Sequence, residues 1–141
     1  MKKLLLLFSF LASQLFAEQC IEEQYKPYFS RNNDRYIYSG SYVLGDTVFD
    51  KNSIIYDKTN QIIKVWFISQ VLVNHKAGII KNYTEYDIKN NRSRILKEFY
   101  EKCNKEPILD FPKSSENWGV IVPESINEIN LDYLKEYLKI K

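Results

Sequence analysis

Apolar and aromatic runs of strand length recur along most of this chain, broken by short polar clusters. The longest run is IIKVWFISQVLV, residues 62–73. Val65, Phe67, Val71 and Val73 share one face of it, and Trp66, Ile68 and Leu72 share the other. Apolar residues on both faces predict a central strand. Upstream, RYIYSGSYVLGD (35–46) places Tyr36, Tyr38 and Tyr42 around a Ser-Gly-Ser break and reads as one or two short strands. TVFDKNSIIYD (47–57) carries Val48 and Phe49, a turn at Asp50-Lys51-Asn52, and a strand over Ile54 to Tyr56. DKTNQ (57–61) is a turn rich in side chains that bond their own backbone. Downstream, NHKAG turns the chain, IIKNYTEYDI (79–88) continues as a strand, and KNNRS closes a hairpin. RILKEFYEKC (94–103) fits either a helical stripe or a strand, and the hairpin context favours the strand. NWGVIVP (117–123) predicts a last strand.

SINEINLDYLKEYLK (125–139) is the clearest helix. Ser125 and Glu128 have the spacing of a capping box. Ile129, Tyr133 and Tyr137 share one stripe, with Leu134 and Leu138 beside it. Antiparallel strands followed by one helix give an α+β fold, an antiparallel sheet of about five to six strands with a C-terminal helix packed on it. Glycine and proline number four each, and no linker, low-complexity stretch or internal repeat divides the chain.

The first residues follow another logic. Lys2 and Lys3 precede an uncharged apolar run from Leu4 to Leu11, and small and polar residues lead to Ala17. That is the order of a secretory signal peptide with cleavage after Ala17. The run is shorter than the roughly 20 residues that a membrane span needs. Removing residues 1–17 from 141 leaves 124, one domain's worth. We therefore read residues 1–17 as a cleaved signal, 18–35 as an N-terminal tail and 36–141 as a single domain, with no later transmembrane segment. The signal takes Lys2 and Lys3 with it, leaving 18 basic against 18 acidic residues. Such a balance lacks the electrostatic footprint of a nucleic-acid binder.

Export bears on Cys20 and Cys103, the two cysteines of the chain. In an oxidising compartment an even pair at wide spacing predicts one disulfide, the alternative being two free thiols. Closing a loop of roughly 80 residues would stabilise the fold by about 4 kcal/mol in the chain-entropy model. Lipid attachment at Cys20 would need small residues just before it, and Glu18 and Gln19 occupy those places.

Candidate chemistry is sparse. His75 is the single histidine and falls in a polar turn, so a Ser-His-Asp or Cys-His arrangement would have to use it. One histidine and two bridged cysteines do not make a zinc site. DKNS and DKTNQ lack the spacing of a calcium loop, and no glycine-rich phosphate loop is present. Asp110, Glu116 and Glu124 carry no feature that singles them out. Asn82 and Asn91 match the glycosylation sequon, which matters only in a eukaryotic secretory route. The eleven tyrosines suit both strand packing and binding faces. Trp66 and Trp118 read as core residues. The sequence thus predicts no enzyme, no cofactor and no metal.

An ordered set of short elements resembles the bacterial surface-adhesin protein E-like family: VFDKNSI, IKVWFI, TEYDIKNNRSRI and NWGVIVPESINE. Asp50, Ser53, Ile54, Val65, Trp66, Tyr86, Asp87, Arg92, Arg94, Trp118, Pro123 and Ser125 occupy the matching places, and the likeness covers about residues 40–135. Members often carry a cysteine directly after the Tyr-Asp pair. Ile88 stands there, and the C-terminal helix has no cysteine, so Cys20–Cys103 would replace that bridge. The resemblance implies an exported, non-catalytic envelope protein, periplasmic or at the cell surface or secreted. Its partner would be a host matrix protein or another envelope protein, and a homodimer is within the family's repertoire. The alternative expectation is a periplasmic structural or accessory factor.

Overall fold

The computed structural model describes residues 24–42, 45–73, 76–103 and 117–140. Signal residues 1–17, the cleavage site at Ala17, and Cys20, His75, Asp110 and Glu116 lie outside the described residues. Among those described, the elements in chain order are α1 (Lys26–Phe29), β1 (Tyr36–Tyr42), β2 (Gly45–Asp50), a 3-10 turn (Lys51–Ser53), β3 (Ile55–Asp57), β4 (Ile62–Val73), β5 (Lys76–Asp87), β6 (Arg92–Lys102), β7 (Gly119–Val120) and α2 (Ile126–Leu138). One antiparallel sheet runs β1-β2-β4-β5-β6-β7, and β3 also pairs with β4. The fold is α+β with a seven-stranded sheet and a C-terminal helix. No helix here is long and apolar enough to cross a membrane.

β2 and β3 follow one path along β4, interrupted by the 3-10 turn. β2 pairs with β4 at Thr47–Phe49, and β3 pairs with it again at Ile55–Asp57. The interruption leaves the Trp66 amide without a backbone partner on that side, and Ser53 fills the place. Its Oγ accepts from Trp66 N at 2.9 Å and donates to the Asp50 carbonyl at 2.7 Å. The Asp50 carboxylate accepts from Asn52 N at 3.0 Å and takes a forked contact from Arg35. The Asp-x-x-Ser spacing is thus a device for breaking a strand without leaving a ladder donor unmet.

Two hairpin turns share one construction. Asp57 Oδ1 accepts from Thr59 N and Asn60 N, and the Asn60 amide donates to Asp57 Oδ2 at 2.7 Å. Asp87 Oδ1 likewise accepts from Asn90 N, and the Asn90 amide donates to Asp87 Oδ2 at 2.8 Å. Each turn ends on a left-handed residue, Gln61 (φ 55°) or Asn91 (φ 49°). The turns are also joined, since Ile88 N donates to the Gln61 carbonyl at 3.0 Å.

The β4–β5–β6 register sets two faces. Ile63, Val65 and Phe67 lie on the helix side with Thr84 and Tyr86. The core there joins Phe49, Ile63, Val65, Phe67 and Tyr86 of the sheet to Ile121, Leu131 and Leu134. Ser125 caps α2 as expected, accepting from Glu128 N at 3.3 Å. The Glu128 carboxylate reaches back one residue further, to Glu124 N. The helix buries Asn130, Leu131 and Leu134, and Tyr133 and Tyr137 stay 40% and 43% exposed. Leu131 and Leu134 thus face the sheet most deeply, and the tyrosines lie at the margin, where Tyr137 still meets the buried Phe49 ring edge-on at 5.5 Å. One helical turn joins distant strands. Asn127 Nδ2 donates to Ser93 of β6 at 3.5 Å, and Asn130 Oδ1 accepts from Ser39 of β1 at 3.0 Å. β2, β4 and β5 stand between those strands, so the sheet curls strongly around α2.

The opposite face carries the smaller core. Tyr25, Val48, Ile68 and Ile79 are buried there, with Tyr28, Phe29, Tyr36 and Cys103 packed against them. Residues 24–35, placed in a tail by the sequence reading, contribute this cover. The Tyr25 hydroxyl donates to the Lys102 carbonyl at 2.9 Å, and burial pushes its pKa up to about 12. Cys103, next in the chain, donates its amide to the Ala77 carbonyl at 3.0 Å. The segment RILKEFYEKC is strand, as the hairpin context predicted, and the last strand shrinks to Gly119–Val120.

Candidate binding face

Beyond the cover supplied by α1, the face away from α2 is a lattice of aromatic and charged side chains. Three rows cross β4, β5 and β6: Lys64–Glu85–Arg94, Trp66–Tyr83–Lys97 and Ile68–Lys81–Phe99. The turn end adds Ile62–Asp87–Arg92. A β-bulge makes this pattern. Tyr83 pairs with Lys97 and Thr84 with Ile95, so Leu96 is the extra residue of β6. Without it Arg94 and Lys97, three apart, would point to opposite faces.

The centre is aromatic. Trp66 stacks on Tyr83 with ring centroids 5.0 Å apart and 25° between planes, and it lies 5.7 Å from Phe99. All three rings are half-buried. Trp118 extends the face beyond β6, with the Arg92 and Arg94 guanidiniums 4.6 and 4.4 Å from its ring centroid. These contacts tie Trp118, just before β7, to the sheet by cation–π attraction. Trp66 and Trp118, read as core from the sequence, thus lie half-buried on the face opposite the main core.

Acids and bases on this face differ in depth. Glu85 has a side chain 7% exposed, between Lys64 at 3.3 Å (38% exposed) and Arg94 at 2.5 Å (27%). Asp87 is 5% exposed under Arg92, 2.8 Å away and 40% exposed. The carboxylates form the floor and the cations the outer surface. Hydrogen bonds from Asn90, with help from Arg92, hold the Asp87 carboxyl below the usual carboxylate range although burial opposes this. Burial works against the Lys81 ammonium too, but contacts with Glu101, 2.6 Å away, and with Tyr28 raise its pKa. Both groups remain charged at neutral pH. Lys97 is exposed and makes no ion pair among the described residues.

The residues of the Asp50–Ser125 motif set divide among three jobs. Asp50, Ser53 and Ser125 organise turns and a cap. Val65 and Tyr86 are core. Trp66, Asp87, Arg92, Arg94 and Trp118 belong to the open face. Glu124 is exposed with a positive φ of 60°. Among the described residues, no group of three or more His, Cys, Asp or Glu could hold a metal ion. Sequence reading missed Lys64, Tyr83, Lys97 and Phe99 as a set. The alternation of Lys64 and Trp66 was a visible signal, but the bulge at Leu96 hid the β6 partners.

Comparisons with family models, with curated proteins and with solved structures return no match for this chain.

Proposed function

We propose that this chain is an exported, non-catalytic bacterial envelope protein that acts as an adhesin-like binding module for a host matrix or envelope protein. The open face carries the reading: half-buried Trp66, Tyr83 and Phe99 lie beside outward-facing Lys64, Arg92, Arg94 and Lys97 on a rigid sheet. Rigid aromatic groups with arginine are the usual anchors of protein interfaces. The signal-type N-terminus and the resemblance in the ordered motifs support the compartment. A Cys20–Cys103 disulfide would staple the segment before Tyr25 to the end of β6, where Tyr25 already bonds the Lys102 carbonyl. Intact mass from native cells checks both points. The reading expects a start at Glu18 and a gain of about 2 mass units on reduction. Labelling of intact cells and binding to immobilised matrix proteins test adhesion, and a protein confined to the periplasm that binds none of them refutes it.

A second reading, a periplasmic accessory factor, is favoured by Val120, Val122 and Ile126, exposed at 77%, 61% and 51% where β7 leads into α2. Cross-linking in cells through these positions should then recover an envelope protein, and recovery of the chain itself would indicate a homodimer.

A further inference from the structure

The open face resolves further into a recognition surface for one chemical class. On β4–β6 it presents Lys64, Lys81, Arg92, Arg94 and Lys97 against Glu85, Asp87 and Glu101, an excess of two positive charges. Two of the three carboxylates are sunk to 5–7% exposure, whereas their cationic partners stand 27–40% exposed. A partner approaching this face therefore meets ammonium and guanidinium groups first. It also meets the ring stack of Trp66 and Tyr83 between the Lys64–Arg94 row and Phe99.

We propose that the face binds an acidic polysaccharide, a sugar chain bearing carboxylate or sulfate groups. This rests on the adhesin-like reading and names the part of the matrix that the face would recognise. Pyranose rings offer an apolar C–H face that packs on aromatic rings, and their acidic substituents fit cations at the rim. Lys64 and Arg94 converge on the one Glu85 carboxylate, at 3.3 and 2.5 Å, and so offer a compact cationic point beside the rings. Nucleic acid fits less well, because residues 18–141 carry 18 basic against 18 acidic side chains.

The test is titration of the full mature protein with heparin, with dextran as neutral control and oligo-dT as nucleic-acid control, read by intrinsic tryptophan fluorescence. Lys97→Glu and Lys64→Gln are compared with the wild type after circular dichroism shows equal folding. Heparin should bind with affinity that falls as salt rises, dextran should not bind, and Lys97→Glu should weaken heparin binding by about tenfold. Oligo-dT binding as tight as heparin, or unchanged affinity in both variants, would overturn the proposal. Matrix protein stripped of its glycans separates the two levels. If it still binds while heparin does not, the glycan inference fails and adhesion stands. If neither binds, both fail.

Discussion

Tyr25→Ala is the perturbation that most directly asks whether the segment before β1 belongs to the folded unit. The ring is 2% exposed and packs with Val48, Ile68 and Ile79. Removing a buried aromatic side chain costs about 3–5 kcal/mol. The hydroxyl makes one good hydrogen bond, to the Lys102 carbonyl at 2.9 Å, and a longer one to Glu101 at 3.4 Å. Tyr25→Phe should therefore cost only about 1 kcal/mol. In urea, with a slope of about 2 kcal/mol per molar for a domain of this size, the midpoint should fall by about 2 M for Ala and about 0.5 M for Phe. Tryptophan fluorescence follows the transition. Alkaline pH adds a second check. The folded pKa is pushed up to about 12 from an ordinary 10.0, so this group's contribution is complete below pH 10 and is lost as pH rises through 10 towards 12. The Phe variant cannot lose it, so the gap between Phe and wild type should close in that window. An Ala variant within about 0.5 kcal/mol of wild type would refute the reasoning, because the segment would then lie outside the cooperative unit.

Ser53→Ala should cost about 1–3 kcal/mol by orphaning the Trp66 amide inside the sheet; hydrogen exchange at that amide should accelerate more than at its neighbours, and unchanged protection would contradict the ladder-filling role. Among the described residues the buried Tyr100 hydroxyl meets no hydrogen-bond partner, and burial raises its pKa. Tyr100→Phe should leave stability unchanged or raise it by up to about 1 kcal/mol, a Tm gain of about 3 °C, and a clear loss of Tm would show an unrecognised contact. Asp87 has a folded pKa below its ordinary 3.8. Its contribution is present above that value and is lost as pH falls through the folded pKa, so Asp87→Asn should be less stable at neutral pH and approach wild type in acid. A gap independent of pH in acid denaturation would count against that account.

The layout of the sheet was legible because β4 is apolar on both faces, as a central strand is, and the Asp-rich turns announce themselves. The helix was legible in position from Ser125 and Glu128, but not in orientation. Apolar spacing grouped Ile129, Tyr133 and Tyr137 with Leu134 and Leu138 beside them, and contact with the curled sheet buries Leu131 and Leu134 most deeply. The binding face was hidden for a different reason. Its members come from three strands, and their common side depends on one extra residue, Leu96, whose effect exists only after β5 and β6 have paired. Tyr25 was hidden too: nothing local distinguishes EQYKPYF from an unstructured leader, because its partners lie across the fold.

That last contact has a consequence in time. The Tyr25 hydroxyl meets a carbonyl 77 residues later in the chain. During synthesis the N-terminal segment emerges first, yet the surface that receives it needs β2, β4, β5 and β6 assembled. Its docking is a late event governed by long-range closure. The earliest part of the domain is thus the last to settle, and until β6 is complete its aromatic residues stay available to whatever accompanies the nascent chain.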